Sequence, residues 1–429
     1  MTARYARSEA LLDRARRTIP LGAQTFSKSI TQFPFGVSPY FAARAEAGHV
    51  WDADGNRYVD MVNALAAVTL GHCDPDVTAA VTDQLGKGVI FSLSSELEAD
   101  VAEAICEMVP CAEQVRFGKN GSDATAGAVR IARAFTGRDH LAVCGYHGWQ
   151  DWYIGATARS KGVPAATRAL THTFAYNDLS SLDAVFAAHP GEVAAVMLEP
   201  MNVADPSPGF LEGVAERARA AGAVLIFDET ITGFRYAAGG AQARFGVTPD
   251  LATFGKGLAN GYPLSAVAGR ADIMAQMEEV FFSFTMGGEC LSLAAAKAVL
   301  EKLRREPVLE TIAARGATLK AGLAALIARH ECGGFAGVSG DPSWSFFTLA
   351  DAPTATAFEL KTLFLQEVFA RGLLTLGTHN LSFAHTDADI AETLQVYAAV
   401  LPALKAAAED GALRQLLRCE PLEPLFKVR

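Results

Sequence analysis

Three charged residues stand directly after short apolar runs and could form a reactive site. Glu199 follows "AAVML", Asp228 follows "AVLIF" and Lys256 follows "LATFG". Runs of this kind are typical of strands buried in a parallel sheet, and ligands bind outside the carboxyl ends of such strands. A single acid or lysine often lies where a strand meets solvent and would indicate little. Three in successive runs predict a ligand site at one edge of a sheet.

Lys256 has the most distinctive chemistry of the three. It stands between Gly255 and Gly257, which allow other groups to approach closely. Such a lysine can form a Schiff base with a carbonyl compound, and pyridoxal phosphate is the most versatile carbonyl cofactor. That cofactor needs an acid beside its pyridine nitrogen, for which Asp228 is the candidate. The segment "GGAQARFG" between Asp228 and Lys256 fits one crossover helix, so neighbouring strands could bring both to one pocket.

A phosphate site is indicated by "VRFGKNGSDATAGAVRIARAFTG". The pattern predicts a strand that reaches Phe117, a polar loop over residues 118–122, and an alanine-rich helix capped by Ser122 or Asp123. The start of a helix offers free N–H groups and the positive end of the helix dipole, which suit a phosphate. Taken alone, the segment is an ordinary capped helix. Asp123 must point away, because its charge would repel the phosphate.

An aromatic side chain at the same edge is suggested by "CGYHGWQDWY". Tyr146 follows the run "LAVC" and could stack on a flat heteroaromatic ring, although a packed tyrosine is the simpler interpretation. His147 and Asp151 stand at i, i+4 but have no third ligand nearby, so no metal site is expected.

Other ligand motifs fit poorly. "GKGLANG" has Asn260 where the third glycine of a dinucleotide fingerprint belongs, and Lys256 is not followed by the serine or threonine of a Walker A loop. The chain contains no G-x-S-x-G elbow of the kind that serine hydrolases use.

The pattern between residues 75 and 320 predicts a large α/β domain, because helices alternate there with short apolar runs such as "HLAVCGY", "EVAAVMLEP" and "LSAVAGR". Residues 1–74 are expected to form a surface helix, a hairpin around residues 54–56 and a loop. Residues 321–429 are expected to form a smaller α+β domain, with helices near 354–371 and 387–408 and strands at "SWSFFTLA" and "LSFAH".

Composition narrows the range of partners. The 429-residue chain has a formal net charge of -10, which makes nucleic acid and anionic membranes unlikely partners. Its seven cysteines include no C-x-x-C pair, so neither a disulfide framework nor a zinc site is indicated and a cytoplasmic location is expected. No apolar run approaches the roughly 18–20 residues that a membrane span requires.

With these residues identified, the chain resembles the class III, fold type I, pyridoxal-phosphate-dependent aminotransferases, and within them the glutamate-1-semialdehyde 2,1-aminomutase branch. The resemblance extends from "GHVWDADGNRYVDM" to "AHTDADI" and is most specific in "IFDETITGFRYAAGGAQARFGVTPDLATFGKG". It implies a large, mostly parallel α/β/α domain and a smaller α+β domain formed by the N-terminal segment and the C-terminal region.

The resemblance also implies roles for individual residues. Lys256 corresponds to the Schiff-base lysine and Asp228 to the partner of the pyridine nitrogen. Gly121 and Ser122 correspond to phosphate ligands, and Tyr146 to the ring that stacks on the cofactor.

Further matches concern the partner subunit and the substrate. Asn202 stands where many relatives have a glutamine that supports the ring edge, and Thr230 where the branch has a valine under the cofactor. Thr285 matches a threonine that completes the phosphate site of a partner subunit, which implies a homodimer. Residues 286–290, "MGGEC", replace the aminomutase sequence Leu-Ser-Gly-Asn-Pro, and Leu65 replaces a pocket-wall tryptophan.

The resulting hypothesis is a transaminase that moves an amino group from an amine or amino-acid donor to a carbonyl acceptor in two half-reactions. An aminomutase that exchanges the groups within one molecule is the alternative. A catalytically silent sensor of pyridoxal phosphate is disfavoured, because it would not need the electron sink that Asp228 maintains.

Overall fold

The computed structural model describes residues 3–423. These residues form the following strands: β1 (Ala42–Glu46), β2 (His49–Asp52), β3 (Arg57–Asp60), β4 (Gln114–Gly118), β5 (His140–Cys144), β6 (Thr171–Thr173), β7 (Val193–Leu198), β8 (Val224–Asp228), β9 (Leu251–Phe254), β10 (Ser265–Gly269), β11 (Ala336–Asp341), β12 (Trp344–Leu349), β13 (Leu373–Leu374) and β14 (Thr378–Asn380). The helices are α1 (Ala6–Ala15), α2 (Asn63–Ala66), α3 (Pro75–Leu85), α4 (Glu96–Met108), α5 (Gly121–Thr136), α6 (Asp151–Ile154), α7 (Ala165–Arg168), α8 (Leu179–Ala188), α9 (Phe210–Ala221), α10 (Gly240–Phe245), α11 (Ala271–Met274), α12 (Cys290–Arg305), α13 (Val308–Arg329), α14 (Ala357–Ala370), α15 (Asp387–Glu409) and α16 (Leu413–Leu416).

The chain divides into two compact units. Within the described residues, the smaller unit comprises residues 3–65, 69–74 and 310–423, and the larger unit comprises residues 66–68 and 75–309. The N-terminal segment and the C-terminal region therefore belong to one unit. The division falls near the start of α13, which continues through residue 320 as an unbroken helix.

The larger unit is built on a seven-stranded sheet with the order β4-β10-β9-β8-β7-β5-β6. The pairs β9–β8, β8–β7, β7–β5 and β5–β6 are parallel, as the continuous apolar runs predict. Strand β10 is antiparallel to both neighbours, so the expectation that "LSAVAGR" joins the parallel set is wrong. The short link from β9 to β10 explains this, because a parallel crossover needs a dozen or more residues.

Both faces of this sheet are covered. One face packs against α5 through Val129, Ile131 and neighbouring alanines, and the other packs against α8 and α9 through Leu182 and Phe210. Every residue of β7, β8 and β9 is buried. Each large apolar side chain buried in this way contributes roughly 1.5–3 kcal/mol, so the strand ends are held on a rigid frame.

The smaller unit contains two sheets, with the orders β1-β2-β3-β13 and β11-β12-β14. The hairpin predicted around residues 54–56 is confirmed as the antiparallel pair β2–β3. The strand predicted at "LSFAH" is wrong: β14 ends at Asn380, and the next residues form a turn in which Ser382 N–H donates to His385 Nδ1. Leu65 lies in a left-handed turn with a φ of 61°.

Two predictions about the chain's environment can be compared with the structure. All seven cysteines are free thiols. In residues 3–423, one helix, α13, is long and apolar enough to cross a membrane by length and composition, a test that core helices of soluble proteins also pass.

Candidate active site

The larger unit brings the predicted site residues to one edge of its sheet. Asp228 ends β8, Lys256 follows β9 and Glu199 follows β7, and these three strands are parallel neighbours. Their carboxyl ends therefore meet at the same edge. The sequence Gly145–Gly148 follows β5, the next strand in the sheet, and brings Tyr146 to that edge as well.

Lys256 occupies a strained and buried position. Its φ is +41°, in the left-handed region, where a non-glycine residue costs about 1–3 kcal/mol. It opens a 3₁₀ helix that ends at Ala259. Burial lowers the pKa of Lys256 below its ordinary value of 10.5, although the negative charges of Asp228 and Glu199 oppose this effect. The positive charge of Arg235, which is itself 1% exposed, lowers this pKa further.

Asp228 is buried but strongly supported by hydrogen bonds. Its Oδ1 accepts from the Thr230 hydroxyl at 2.6 Å, from the Thr230 N–H at 3.1 Å and from the Thr253 hydroxyl at 3.1 Å. Its Oδ2 accepts from His147 Nδ1 at 2.8 Å. Burial alone would raise the pKa of Asp228, but the hydrogen bond and charge of His147 and the bonds from Thr230 hold it below its ordinary value.

Glu229, the second acid of the "DE" pair, does not contact the Asp228 site but the start of α10. Glu229 is fully buried and accepts from the N–H groups of Ala241 and Gln242 at the start of α10, at 2.6 and 3.0 Å. It therefore anchors the helix that connects β8 to β9, and Asp228 is the acid of the pair that reaches the strand-end site.

His147 was not assigned to the site by sequence reasoning. Its side chain is fully buried, with Nδ1 against Asp228 and Nε2 3.1 Å from the Cys144 carbonyl oxygen. Both partners are acceptors, so a ring protonated on both nitrogens satisfies both contacts as an imidazolium. Because both nitrogens are engaged, His147 is not available for the metal pair with Asp151 that its spacing suggested. The sequence feature that could have indicated this position is that His147 directly follows Tyr146.

The loop before α5 has a different cap from the one predicted. Asn120 is the N-cap residue, not Ser122 or Asp123, which lie in the first turn of the helix. The Asp123 carboxylate accepts from the N–H groups of Lys119 and Asn120, at 3.1 and 2.7 Å. These bonds tie the charge of Asp123 to the preceding loop. Gly121 and Ser122 then occupy the first positions of the helix, where N–H groups have no partner within the helix.

Close packing fixes this loop against its neighbours. A side-chain carbon added to Gly121 would lie 2.9 Å from Thr230 Cγ2, and one added to Gly148 would lie 2.3 Å from Ser122 Oγ. Both distances are shorter than a van der Waals contact, so a side chain at either position would force its neighbour to shift. Ser122 Oγ also accepts from the Trp149 N–H at 3.3 Å. The phosphate-loop candidates therefore contact both the Asp228 turn and the Tyr146 loop.

Glu199 organises the remaining side of the site. Its Oε2 accepts from the Tyr146 N–H at 3.0 Å and from the Asn202 side-chain amide at 2.9 Å. Burial, and then the negative charge of Asp228, raise the pKa of Glu199. Tyr146 remains 44% exposed and meets Tyr153 edge to face at 5.7 Å, so one face of its ring can receive a ligand.

Thr285 is the predicted site residue that the fold does not bring to this cluster. It is exposed on the segment between α11 and α12. Among residues 3–423, no hydrogen bond joins its side chain to the strand-end residues. Further along this segment, Glu289 caps α12 and forms an ion pair with Lys119 at 2.9 Å.

The assembled residues fit pyridoxal phosphate. In the described part of the chain, Asp228 Oδ2 accepts from His147 alone, which leaves a lone pair of an ionised carboxylate for a protonated pyridine nitrogen. The first-turn N–H groups of Gly121 and Ser122 suit a phosphate. Lys256, with its lowered pKa, fits the nucleophilic amine that attachment of the cofactor requires.

Comparisons with known proteins agree with this assignment. The aminotransferase class-III family matches residues 34–385. A glutamate-1-semialdehyde 2,1-aminomutase of Roseiflexus castenholzii is 37% identical over 94% of this chain and 99% of the relative. A 3-aminobutyryl-CoA aminotransferase of Cloacimonas acidaminovorans is 33% identical over 91% of this chain and 96% of the relative.

Solved structures include a close match in fold. The FumI protein of Sphingopyxis sp. MTA144, in its pyridoxal phosphate internal aldimine form, superimposes with a TM-score of 0.87 and 32% identity. The match covers 97% of this chain and 98% of that protein. The chain therefore belongs to the class III aminotransferases and is a pyridoxal-phosphate-dependent enzyme that transfers amino groups between small amines and carbonyl compounds.

Proposed function

We propose that Lys256 would hold pyridoxal phosphate through its side-chain amine, and that the same amine, when free, would hold or move a proton at the substrate carbon. Bound pyridoxal phosphate would supply an electrophilic carbon and an electron sink. The observation that carries this proposal is the convergence of Lys256 with the Asp228–His147 pair at neighbouring strand ends. Burial lowers the pKa of the lysine, which increases its neutral fraction and suits it to act as a general base.

Asp228 keeps the ring nitrogen protonated in this proposal, and His147 keeps Asp228 ionised. The four hydrogen bonds to its carboxylate support that role, because they stabilise the charged form in a buried place. Gly121 and Ser122 bind the phosphate through their N–H groups. Thr230, which replaces the valine of related sequences, would help to hold the cofactor by fixing the Asp228 carboxylate with two hydrogen bonds.

Tyr146 and Asn202 complete the proposed pocket, and both are hydrogen-bonded to Glu199. Because Glu199 Oε2 binds both the Tyr146 N–H and the Asn202 amide, it sets the position of the stacking ring and the ring-edge group together. We assign Glu199 as a positioning residue. Its carboxylate is buried, and its Oε2 accepts hydrogen bonds from the two residues that it positions.

The test compares three variants of the purified holoenzyme. Lys256→Ala is expected to lose turnover and the visible absorbance of the lysine-bound cofactor. Asp228→Asn is expected to keep the cofactor and lose most activity, because the ring nitrogen loses its ionic partner. Lys161→Ala, at an exposed lysine, is the control and should behave as wild type. Normal turnover in either site variant would contradict the assignment.

We propose an intermolecular reaction, in which a separate donor and acceptor react in turn. An intramolecular exchange is the second candidate, because the aminomutase relative is 37% identical. The two are separated by adding an amine or amino aldehyde without an acceptor. A transaminase changes the absorbance of its cofactor once, by one equivalent per site, and stops. An aminomutase continues to turn over the amino aldehyde with no acceptor present.

We further propose a homodimer in which Thr285 reaches the cofactor phosphate of the partner subunit. The exposure of Thr285 supports this, as does the exposed apolar surface beside it at Phe281 and Met286 and at the segment 89–93. Such surface is typical of regions that another protein covers.

Subunit mixing tests the shared site. Thr285→Asp places a negative charge against the phosphate and should weaken cofactor binding, while Lys256→Ala leaves Thr285 intact. In a mixed dimer, the site that keeps Lys256 receives a normal Thr285 from its partner, so mixing should restore tight cofactor binding to that site. If mixing changes nothing, Thr285 does not act across subunits; sedimentation of a monomer would refute the dimer itself.

A further inference from the structure

Three of the nine histidines in the chain lie together at the opposite edge of the large sheet from the proposed cofactor site. His140, His172 and His189, the histidine trio, each offer a ring nitrogen, and these atoms lie within 4.8 Å of one another. The ring of His189 lies 4.0 Å from that of His172 and 4.3 Å from that of His140, measured between centroids. The proposed mechanism uses none of the three.

The sheet places two members of the trio on one face. His140 begins β5 and His172 lies in β6, and the register pairs Ala142 with His172. Side chains two residues apart share a face of a strand, so His140 and His172 point to the same side. Their ring nitrogens Nδ1 and Nε2 are 2.8 Å apart.

A tight turn supplies the third ring and a carboxylate. His189 caps the end of α8, and the N–H of Glu192 donates to the His189 carbonyl at 3.2 Å. Pro190 and Gly191, with a φ of +76°, occupy the central positions and favour a type II turn. Glu192 Oε2 lies 3.6 Å from His189 Nδ1 and 3.7 Å from His140 Nε2.

We propose that His140, His172 and His189 form a binding site for one divalent cation of the zinc class, with Glu192 as the carboxylate beside it. Imidazoles are ligands that Zn²⁺, Co²⁺ and Ni²⁺ prefer, and a water or a carboxylate can take the fourth position of a tetrahedral zinc site. The rings are half-buried, and Glu192 is mostly exposed, which leaves an entry path from solvent.

The ring nitrogens need only small shifts to hold the ion. Zinc–nitrogen bonds of about 2.0–2.1 Å place tetrahedral ligand nitrogens about 3.3 Å apart. The candidate nitrogens all lie within 4.8 Å of one another, so no pair has to close by more than roughly 1.5 Å, and the 2.8 Å pair has to open by about 0.5 Å; side-chain rotation can supply both shifts.

The site would connect three separate parts of the chain. It joins β5 to β6, the three-residue strand at the edge of the sheet, and to the turn that leads into β7. Strand β5 is five residues long and separates His140 from the Tyr146 loop by roughly 13–16 Å. The cation is therefore structural, and transamination does not depend on it.

Cobalt is a suitable probe, because bound Co²⁺ absorbs visible light. The experiment uses holoenzyme without a histidine tag, stripped with a chelator, and titrates it with Co²⁺ and then with Zn²⁺ as a competitor. The cobalt signal is read as a difference spectrum against metal-free holoenzyme, because the cofactor also absorbs. We expect one Co²⁺ per chain, displaced by one Zn²⁺. His172→Gln and His189→Gln should each weaken binding by more than the roughly 10–100-fold that loss of an outer-shell partner causes. His330→Gln, outside the trio, is the matched control and should bind as wild type.

Two further readouts keep the test decisive. Transaminase activity and cofactor absorbance should be unchanged in all variants and in chelator, which shows that the variants fold. Zn²⁺ should raise the Tm of wild type and of His330→Gln but not of the trio variants. The proposal is overturned if wild type binds no Co²⁺, or if the trio variants bind it as tightly as wild type. In that case the stacked rings are a packing cluster, and the proposed aminotransferase function is unaffected.

Discussion

Replacement of His147 tests the central electrostatic argument about Asp228. His147→Leu removes the 2.8 Å hydrogen bond and the positive charge beside the buried carboxylate. A hydrogen bond to a charged group contributes about 1.5–3 kcal/mol. At 1.36 kcal/mol per pKa unit, its loss raises the pKa of Asp228 by about 1–2 units. Burial, which already opposes ionisation, is then less well offset.

Two consequences of this change are measurable. A weaker ionic partner for the ring nitrogen should lower kcat/KM by roughly 10- to 150-fold, the rate equivalent of the same free energy. A carboxyl group with a depressed pKa stabilises the folded protein above its ordinary pKa, and that contribution is lost as the pH falls through the folded value. Since the folded pKa rises in His147→Leu, acid unfolding and the acid limb of kcat/KM should both move to higher pH.

Conservative variants separate electrostatics from packing. In His147→Asn the amide nitrogen can take the place of Nδ1 and donate to Asp228, so it should recover part of the activity and of the acid limb. Thr230→Val removes the 2.6 Å hydroxyl bond but no charge, so its effect should be smaller. The assay is the pH dependence of kcat/KM for each variant with saturating cofactor. An acid limb that stays in place in His147→Leu would refute the reasoning, whatever happens to the rate.

Two more predictions concern neighbouring residues. Glu199→Gln removes a negative charge that raises the pKa of Lys256, so the pKa of Lys256 should fall further. The rate at which the cofactor attaches to apoenzyme increases with pH, and this increase should move to lower pH in the variant. A pH profile that is unchanged or shifted upward would contradict this. Gly148→Ala adds a carbon 2.3 Å from Ser122 Oγ, at a residue whose φ is +105°. The free energy of unfolding should therefore fall by more than the roughly 1–3 kcal/mol that backbone strain alone costs. Cofactor affinity should fall as well. Gly162→Ala has a φ of +90° and no atom within 4 Å, and it measures that strain alone by chemical denaturation; equal losses in both variants would remove the close contact from the explanation.

Local sequence patterns were sufficient to predict much of the fold and to single out the candidate site residues. Continuous apolar runs predicted the buried strands, and the residue after each run was visible as Glu199, Asp228 or Lys256. The helices predicted near residues 354–371 and 387–408 are α14 and α15, and each begins with a capping box, at Thr356 and at Thr386. These features depend on neighbours a few residues away, and a sequence displays such neighbours directly.

Contacts between distant strands could not be predicted in the same way. His147 and Asp228 are 81 residues apart and meet because β5 and β8 both pair with β7. The antiparallel direction of β10 depends on a connection from β9 that is too short for a crossover helix. The N-cap at Asn120 depends on the orientation of the Asp123 side chain, which accepts a hydrogen bond from the Asn120 N–H.

The sequence alone was therefore enough to single out Lys256, Asp228 and the loop over residues 118–122 as candidates, since each is marked by its immediate neighbours. Strand order decided which groups meet at each edge of the sheet: the imidazole that keeps Asp228 ionised at one edge, and the histidine trio at the other. The physical reason is that the protonation state of a buried side chain depends on charges and donors within a few ångströms, and folding brings those from residues far apart in the chain.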